Sequence, residues 1–443
     1  MKLPEWLPDQ HHPTRPDHEP EPLRFETWLI YRYLHTEAAG GIALLACTLV
    51  ALVLANTAWA EPFDQFWQTK FGFTAGSFEL IKPLRLWIND GLMTIFFFLV
   101  GLEIKREFVF GELRDPRQAA LPVAAALGGM LVPAGIYLLV LGDQPGTRGW
   151  GIPMATDIAF VVGFLALLGR RVTLSLKILL LTLAIVDDIG AVLVIALAYT
   201  SAIALWPLAA GGVGILVIRV MRKLGLRSVP LYWLVGAIAW LGFLKSGIHP
   251  TVAGVVLGLL TPATPLFARG SLAAVSAGIA LQLDSESEGE RHEEAVALLR
   301  RTATETLSPL DRLETALHPW VAFGIMPLFA LANAGVTFEA GALASPAAQA
   351  VAAGLIVGKP VGILLFSAVA LLLGIARLPG DLNWRALIGG ACLTGIGFTM
   401  SLFISGLALE GELLTAGKIG TLAGSAVSAA LALAILVWRP ARE

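Results

Sequence analysis

The chain has 443 residues, 56 % of them hydrophobic and 14 % charged, a balance that excludes an ordinary soluble domain of this size. Its formal net charge of -2 offers no basic excess for nucleic acid. The two cysteines, Cys47 and Cys392, lie in long apolar runs and read as small core residues rather than a disulfide or metal pair. Residues 1–35 are polar and rich in Pro, His and Glu, with no apolar stretch of a cleavable signal, so they are expected to form a cytoplasmic tail containing His11, His12 and His18. From 36 to 438 the sequence reads as an all-α polytopic membrane domain. A spanning helix needs about 20 apolar residues, and twelve segments are expected, near 38–58, 83–104, 119–141, 151–169, 174–200, 204–220, 229–244, 247–261, 313–333, 349–374, 386–408 and 416–438. The stretch 59–80, with Phe63, Phe66, Trp67, Phe71 and Phe73 among turn residues, is expected as an extracytoplasmic hairpin-like segment, serving as an aromatic interfacial belt or as a contact surface for a second copy. Residues 262–311 carry an acidic run from Asp284 to Glu294 and read as a solvated cytoplasmic loop, and 439–443 as a cytoplasmic C-terminus.

Positive charge is retained on the cytoplasmic side during insertion, and Lys and Arg alternate between connections as that rule requires. One set holds Lys105, Arg106, Arg114 and Arg117, then Arg170 and Arg171, then Arg219, Arg222, Lys223 and Arg227, then Arg300, Arg301 and Arg312, then Arg377 and Arg385, then Arg439 and Arg442. The other set holds little beyond Lys70, Lys82, Arg85, Arg148, Lys245 and Lys418. Both termini are therefore expected in the cytoplasm.

The chain also matches itself at an offset of 238 positions. Thr156 to Phe160 (TDIAF) aligns with Thr394 to Phe398 (TGIGF), and Leu121 to Ala124 with Lys359 to Gly362. The copies fall in spans three and four against ten and eleven, so spans 3–5 and 10–12 are expected as a repeat. A displacement of seven spans makes the two copies enter the membrane from opposite sides, the inverted topology in which secondary transporters build an ion site from broken helices. Spans four and eleven both carry helix breakers, Gly149, Gly151 and Pro153 in one and Gly389, Gly390, Gly395 and Gly397 in the other. Interrupted backbone at membrane depth is tolerated only against protein or water, so these two spans are expected to cross at a cavity.

A charge inside a span costs about 2.5 to 3.5 kcal/mol on insertion scales and needs a partner or a task. Four such groups stand out: Asp157 in span four, Asp187 and Asp188 side by side in span five, and Lys359 in span ten. Neighbouring helix residues point about 100° apart, which directs one aspartate towards Lys359 and the other towards the cavity. Carboxylate oxygens bind a small cation and a proton alike, and crowding them away from water makes the two compete. Competition for one site is exchange. Asp157 suits paired helix N-termini and Lys359 paired C-termini.

The runs ATDIAF, AIVDDIGAV, GIHPTVAG, LHPWVAFGIMPLFALANAGV, GKPVGI and GIGFTMSLFISG resemble those of the NhaA sodium/proton antiporters, in order, from about residue 35 to about 438. The inverted repeat is itself a known property of that family. The resemblance implies a twelve-span fold with broken helices four and eleven crossing, and electrogenic exchange of sodium or lithium for protons that rises at alkaline pH. It implies that Asp187 and Asp188 carry sodium and protons, with Thr156 and Asp157 as neighbouring ligand and dipole partner and Lys359 paired to Asp187. Candidates for pH response on the same ground are Glu103, Arg106, Glu107, Glu314 and His249, with Thr315 standing where the family pattern has a histidine. A role in sodium and pH homeostasis in a bacterial inner membrane follows. No cofactor, nucleotide or catalytic metal is implied.

Two other classes use buried carboxylates. A cation channel selects ions with acidic rings, and an intramembrane aspartyl protease needs two carboxylates sharing a proton, though its YD and GxGD motifs are missing around the membrane aspartates. The run Gly354 to Lys359 is one residue short of a phosphate loop, and His292-Glu293 does not continue into HExxH. More than one proton per sodium is expected from the paired aspartates.

Overall fold

The computed structural model describes residues 25–76, 78–200, 202–224, 226, 229–265, 306–338 and 341–437, and for 25–38 the backbone alone. The histidines of the N-terminal tail, the acidic run 284–294 and the C-terminal residues 439–443 lie outside the described residues. In chain order the helices are α1 (Phe25–Ala55), α2 (Ala60–Gln68), α3 (Leu84–Phe110), α4 (Pro116–Leu141), α5 (Ile158–Leu168), α6 (Leu174–Ala198), α7 (Leu205–Lys223), α8 (Val229–Ser246), α9 (Thr251–Leu260), α10 (Pro309–Asn333), α11 (Pro346–Leu372), α12 (Trp384–Leu393), α13 (Phe398–Ala408) and α14 (Gly411–Val437). Among the described residues, eight helices are long and apolar enough to cross a membrane, and two bent pairs raise the number to ten. One pair is α1 with α2, bent by 115°; the other is α12 with α13, bent by 45° at a four-residue break. Between α2 and α3 lies an antiparallel hairpin, β1 (Lys70–Ala75) and β2 (Phe78–Pro83), with Phe73 opposite Leu80.

Local chemistry sets the helix ends. Asp115 accepts from Arg117 N at 2.9 Å with Pro116 in the first turn of α4, Ser308 accepts from Asp311 N at 3.1 Å ahead of Pro309 in α10, and Asn383 accepts from Ala386 N at 2.8 Å in α12. Each satisfies a backbone donor that the first helical turn cannot. Among the described residues three spans contain a π turn: Ile88–Leu92 in α3, Val321–Ile325 in α10 and Gly354–Gly358 in α11. Such turns shift side-chain direction and concentrate at functional positions. The last of them ends immediately before Lys359.

In lipid there is no hydrophobic drive between helices, so close packing of small residues holds them together. The contact of α4 with α11 shows this most clearly. A methyl group on Gly128 would run into the carbonyl of Gly362, and one on Gly362 into the carbonyl of Gly128. The two backbones therefore touch, and Lys359, one turn before Gly362, is carried to the centre of the protein with no solvent exposure.

Candidate ion site at two broken helices

The site begins with two failures of helical structure. The span that should contain residues 151–169 consists of a 3-10 segment, Thr147–Met154, an extended stretch through Ala155 to Asp157, and then α5. The second break separates α12 from α13 at 394–397. The unwound segments satisfy each other: Asp157 N donates to Ile396 O at 2.8 Å and Thr156 Oγ1 lies 3.2 Å from Thr394 O. Ser401 Oγ on α13 donates to Ile152 O at 2.7 Å, which serves a carbonyl of the 3-10 segment. Broken backbone inside the membrane is thus paired within the protein, as it must be.

Two contacts between these spans join residues 238 apart. Thr156 meets Thr394, and the rings of Phe160 and Phe398 stand edge to face with centroids 5.2 Å apart. Positions equated by the sequence repeat therefore touch one another. The repeat is not symmetric in charge, because Asp157 corresponds to Gly395. A Cβ on Gly395 would lie 2.6 Å from both Leu355 O and Ser428 Oγ. There is no room for an aspartate in the second copy.

Asp157 serves two half-helices. Its Oδ1 accepts from Phe160 N at 3.3 Å, capping α5, and its Oδ2 accepts from Thr399 N at 2.8 Å and Thr399 Oγ1 at 2.5 Å at the start of α13. One carboxylate thus faces two positive helix ends. On the opposite side Lys359 Nζ donates to the carbonyl of Met154, the last residue of the 3-10 segment, and to Asp187 Oδ2 at 2.7 Å. Thr156 Oγ1 reaches the same oxygen at 2.6 Å.

Asp188 points elsewhere. It is buried, its Oδ1 has no hydrogen-bond partner, and it lines a cavity of about 50 Å³ together with Glu103, Thr156, Asp157 and Thr399. The rest of the wall is apolar, from Leu44 of α1, Phe96 and Val100 of α3 and Met326 of α10. A buried polar atom without a partner is costly, and space for a small cation adjoins it. Asp187 Oδ1 also lacks a partner.

The pH-response candidates do not form one cluster. Arg106 Nη1 pairs with Glu314 Oε1 at 2.5 Å, beside an exposed Thr315. Glu107 Oε1 accepts from Glu112 N at 2.8 Å and from Thr182 Oγ1 at 3.2 Å. Glu103 belongs to the cavity wall. His249 stands apart from all of these, with Nδ1 2.7 Å from Thr251 Oγ1, Nε2 3.7 Å from Asp90 Oδ1, and its ring edge-on to Phe403 of α13. Asp90 and Glu103 lie about 20 Å apart along α3 by the helical rise.

The structure buries charges beyond the four read deep in the spans. Asp90, Glu314 and Lys418 are buried as well, and Asp90 pairs with Lys82 at 2.6 Å. They sit near span ends, where sequence does not distinguish a side chain facing water from one facing protein. Thr399, in the run GIGFTMSLFISG, joins the cavity wall as well, and an uncharged hydroxyl gives no signal of this in the sequence.

Two broken helices paired at their breaks, a compensated lysine and a buried carboxylate open to a small cavity define a multi-pass membrane protein that handles small cations and protons. Comparison with known proteins agrees. A model of the family described as Na+/H+ antiporter 1 matches residues 31–436. The chain is 48 % identical over 432 residues to Na(+)/H(+) antiporter NhaA of Rhodopirellula baltica, covering 96 % of this chain and 98 % of that one. It is 49 % identical over 418 residues to Na(+)/H(+) antiporter NhaA of Rhizobium meliloti, covering 93 % and 94 %, and 48 % identical over 414 residues to Na(+)/H(+) antiporter NhaA 1 of Acidiphilium cryptum, covering 93 % and 92 %. The chain belongs to the Na+/H+ antiporter 1 family.

Proposed function

We propose that this protein exchanges sodium, or lithium, for protons by alternating access, with cation and protons competing for Asp188 and Asp187. The exchange itself is the activity named for its relatives across their full length. The observation that carries the site is Asp188: a buried carboxylate with an unpartnered oxygen on a cavity. Sodium displaces protons there because a carboxylate oxygen accepts either, and charge in a water-poor site is tolerated only when neutralised. Asp157 and Thr156 complete the cation's oxygen shell in this reading, since hard cations take oxygen ligands. In the proton-loaded site Lys359 is paired with Asp187 and Asp188 holds a proton; when the cation binds, one proton leaves Asp188 and a second leaves the Lys359–Asp187 pair. More than one proton then moves per sodium, so exchange carries net charge.

The finer architecture follows the same reading. Adding α8 and the short α9 to the ten candidate spans gives twelve, both termini lie in the cytoplasm of a bacterial inner membrane, and spans 3–5 and 10–12 are inverted copies. The contacts between positions 238 apart support that relation. The 59–80 segment forms an extracytoplasmic surface suited to a second copy, with Phe71 and Phe73 exposed on the hairpin. Arg106, Glu107, Glu314 and His249 tune the response to pH from two ends of the molecule.

The test is sodium-driven collapse of a preformed pH gradient in inside-out vesicles from an antiporter-deficient host, scanned from acid to alkaline pH with potassium as control. Saturable, pH-dependent collapse by sodium alone is expected. Collapse by neither ion, with the protein verified in the membrane, would overturn the reading.

A further inference from the structure

We infer that Thr399 is a cation ligand of the exchange site, contributing its hydroxyl oxygen from α13 across the cavity from Asp188. The inference rests on the proposed cation site. Thr399 is fully buried and lines the cavity shared by Asp188 and Asp157. Its hydroxyl hydrogen has a fixed destination, because Oγ1 donates to Asp157 Oδ2 at 2.5 Å. A hydroxyl that donates once keeps two lone pairs, and they are left to the cavity.

The backbone gives the side chain a reason beyond structure. Thr399 N donates to the same Asp157 oxygen at 2.8 Å, so the start of α13 is tied to Asp157 whether or not the hydroxyl is present. Thr156 occupies a different position: its hydroxyl is engaged with Asp187 Oδ2 and lies close to Thr394 O. Each broken span therefore brings one threonine to the cavity, one bound up with the Lys359–Asp187 pair and the other with Asp157. A cation between Asp188 and Asp157 meets oxygen from α6, from the span-four break and, through Thr399, from the span-eleven half-helix. Binding then joins the two broken spans through one ion.

The experiment compares wild type, Thr399→Val, Thr399→Ser and Asp188→Asn in proteoliposomes, reading apparent KM for sodium and lithium from neutral to alkaline pH. Valine keeps the shape and the backbone bond but removes the oxygen. Expected for Thr399→Val is a rise in KM of about tenfold, the equivalent of one lost ligand contact, with maximal rate within about twofold of wild type. The same factor is expected at every pH, and Thr399→Ser restores wild-type KM. Unchanged KM in Thr399→Val would overturn the inference, and so would a serine variant as weak as the valine one, which marks packing. A KM effect that disappears at alkaline pH would mean that Thr399 acts on the Asp157 proton and not on the cation. If Thr399→Val fails to insert, Thr399→Ala carries the same expectations. Exchange surviving in Asp188→Asn would instead remove the site on which the inference stands.

Discussion

The two sides of α6 treat adjacent aspartates in opposite ways. Towards α11, Asp187 meets Lys359 and Thr156 through Oδ2 where α4 and α11 touch backbone to backbone; its Oδ1 is unpartnered too, but Asp187 does not line the cavity. Towards α1, α3 and α10, Asp188 meets a cavity and an oxygen without a partner. A charge already balanced by a fixed partner contributes to assembly, whereas one left open in a low-dielectric site is available to an ion. The difference comes from a single step of about 100° around one helix.

The largest expected effect breaks the open side. Asp188→Asn keeps size and shape but removes the charge, so exchange should fall by at least about 100-fold while the protein still reaches the membrane; vesicle assay with immunodetection checks both. Breaking the closed side should cost stability first. Lys359→Met leaves Asp187 buried without its partner and is expected to destabilise by about 3–5 kcal/mol, read as a lower unfolding temperature in detergent. The double variant Asp187→Asn with Lys359→Met should recover much of that loss, because it removes both charges of the pair and leaves neither uncompensated.

Asp157→Asn lies between the two regions. It removes charge from two helix N-termini, an effect of up to about 2 kcal/mol, and should raise the KM for sodium by about tenfold or somewhat more. Gly362→Ala sharpens the comparison from the packing side. Its methyl meets the Gly128 carbonyl, so a loss of about 1–3 kcal/mol in stability is expected with KM for sodium unchanged in the protein that assembles. The smallest effect is at the half-exposed Arg106, whose pair with Glu314 is worth about 1 kcal/mol or less. Arg106→Gln should move the midpoint of the pH-activity profile by under about one unit and leave the maximal rate intact.

Much of this site was legible in the sequence because lipid makes charge conspicuous. Asp157, Asp187, Asp188 and Lys359 are costly inside apolar runs, and the two TxIxF segments, 238 positions apart, already single out the two broken spans. What sequence did not carry was direction and distance. Nothing in the string says that Lys359 reaches the Met154 carbonyl, that Glu103 lines the same cavity as Asp188, or that Gly395 is too crowded to be a second aspartate. Asp90 was hidden differently: it stands eight residues after Lys82, which marks a span end, and only the fold brings Lys82 and His249 around it. Thr399 carries no charge and gives no signal until Asp157 is seen bonded to it.

The most direct test of the central claim follows protons when sodium is added to purified protein in weakly buffered solution, using a pH-sensitive dye with Asp188→Asn in parallel. In the proposed competition of protons and sodium for one site, raising the pH lowers proton occupancy and should lower the sodium concentration needed for half-saturation. The account predicts saturable acidification by sodium, none by potassium, and none in Asp188→Asn. Sodium binding by calorimetry without proton release from wild type, or equal release from Asp188→Asn, would contradict it.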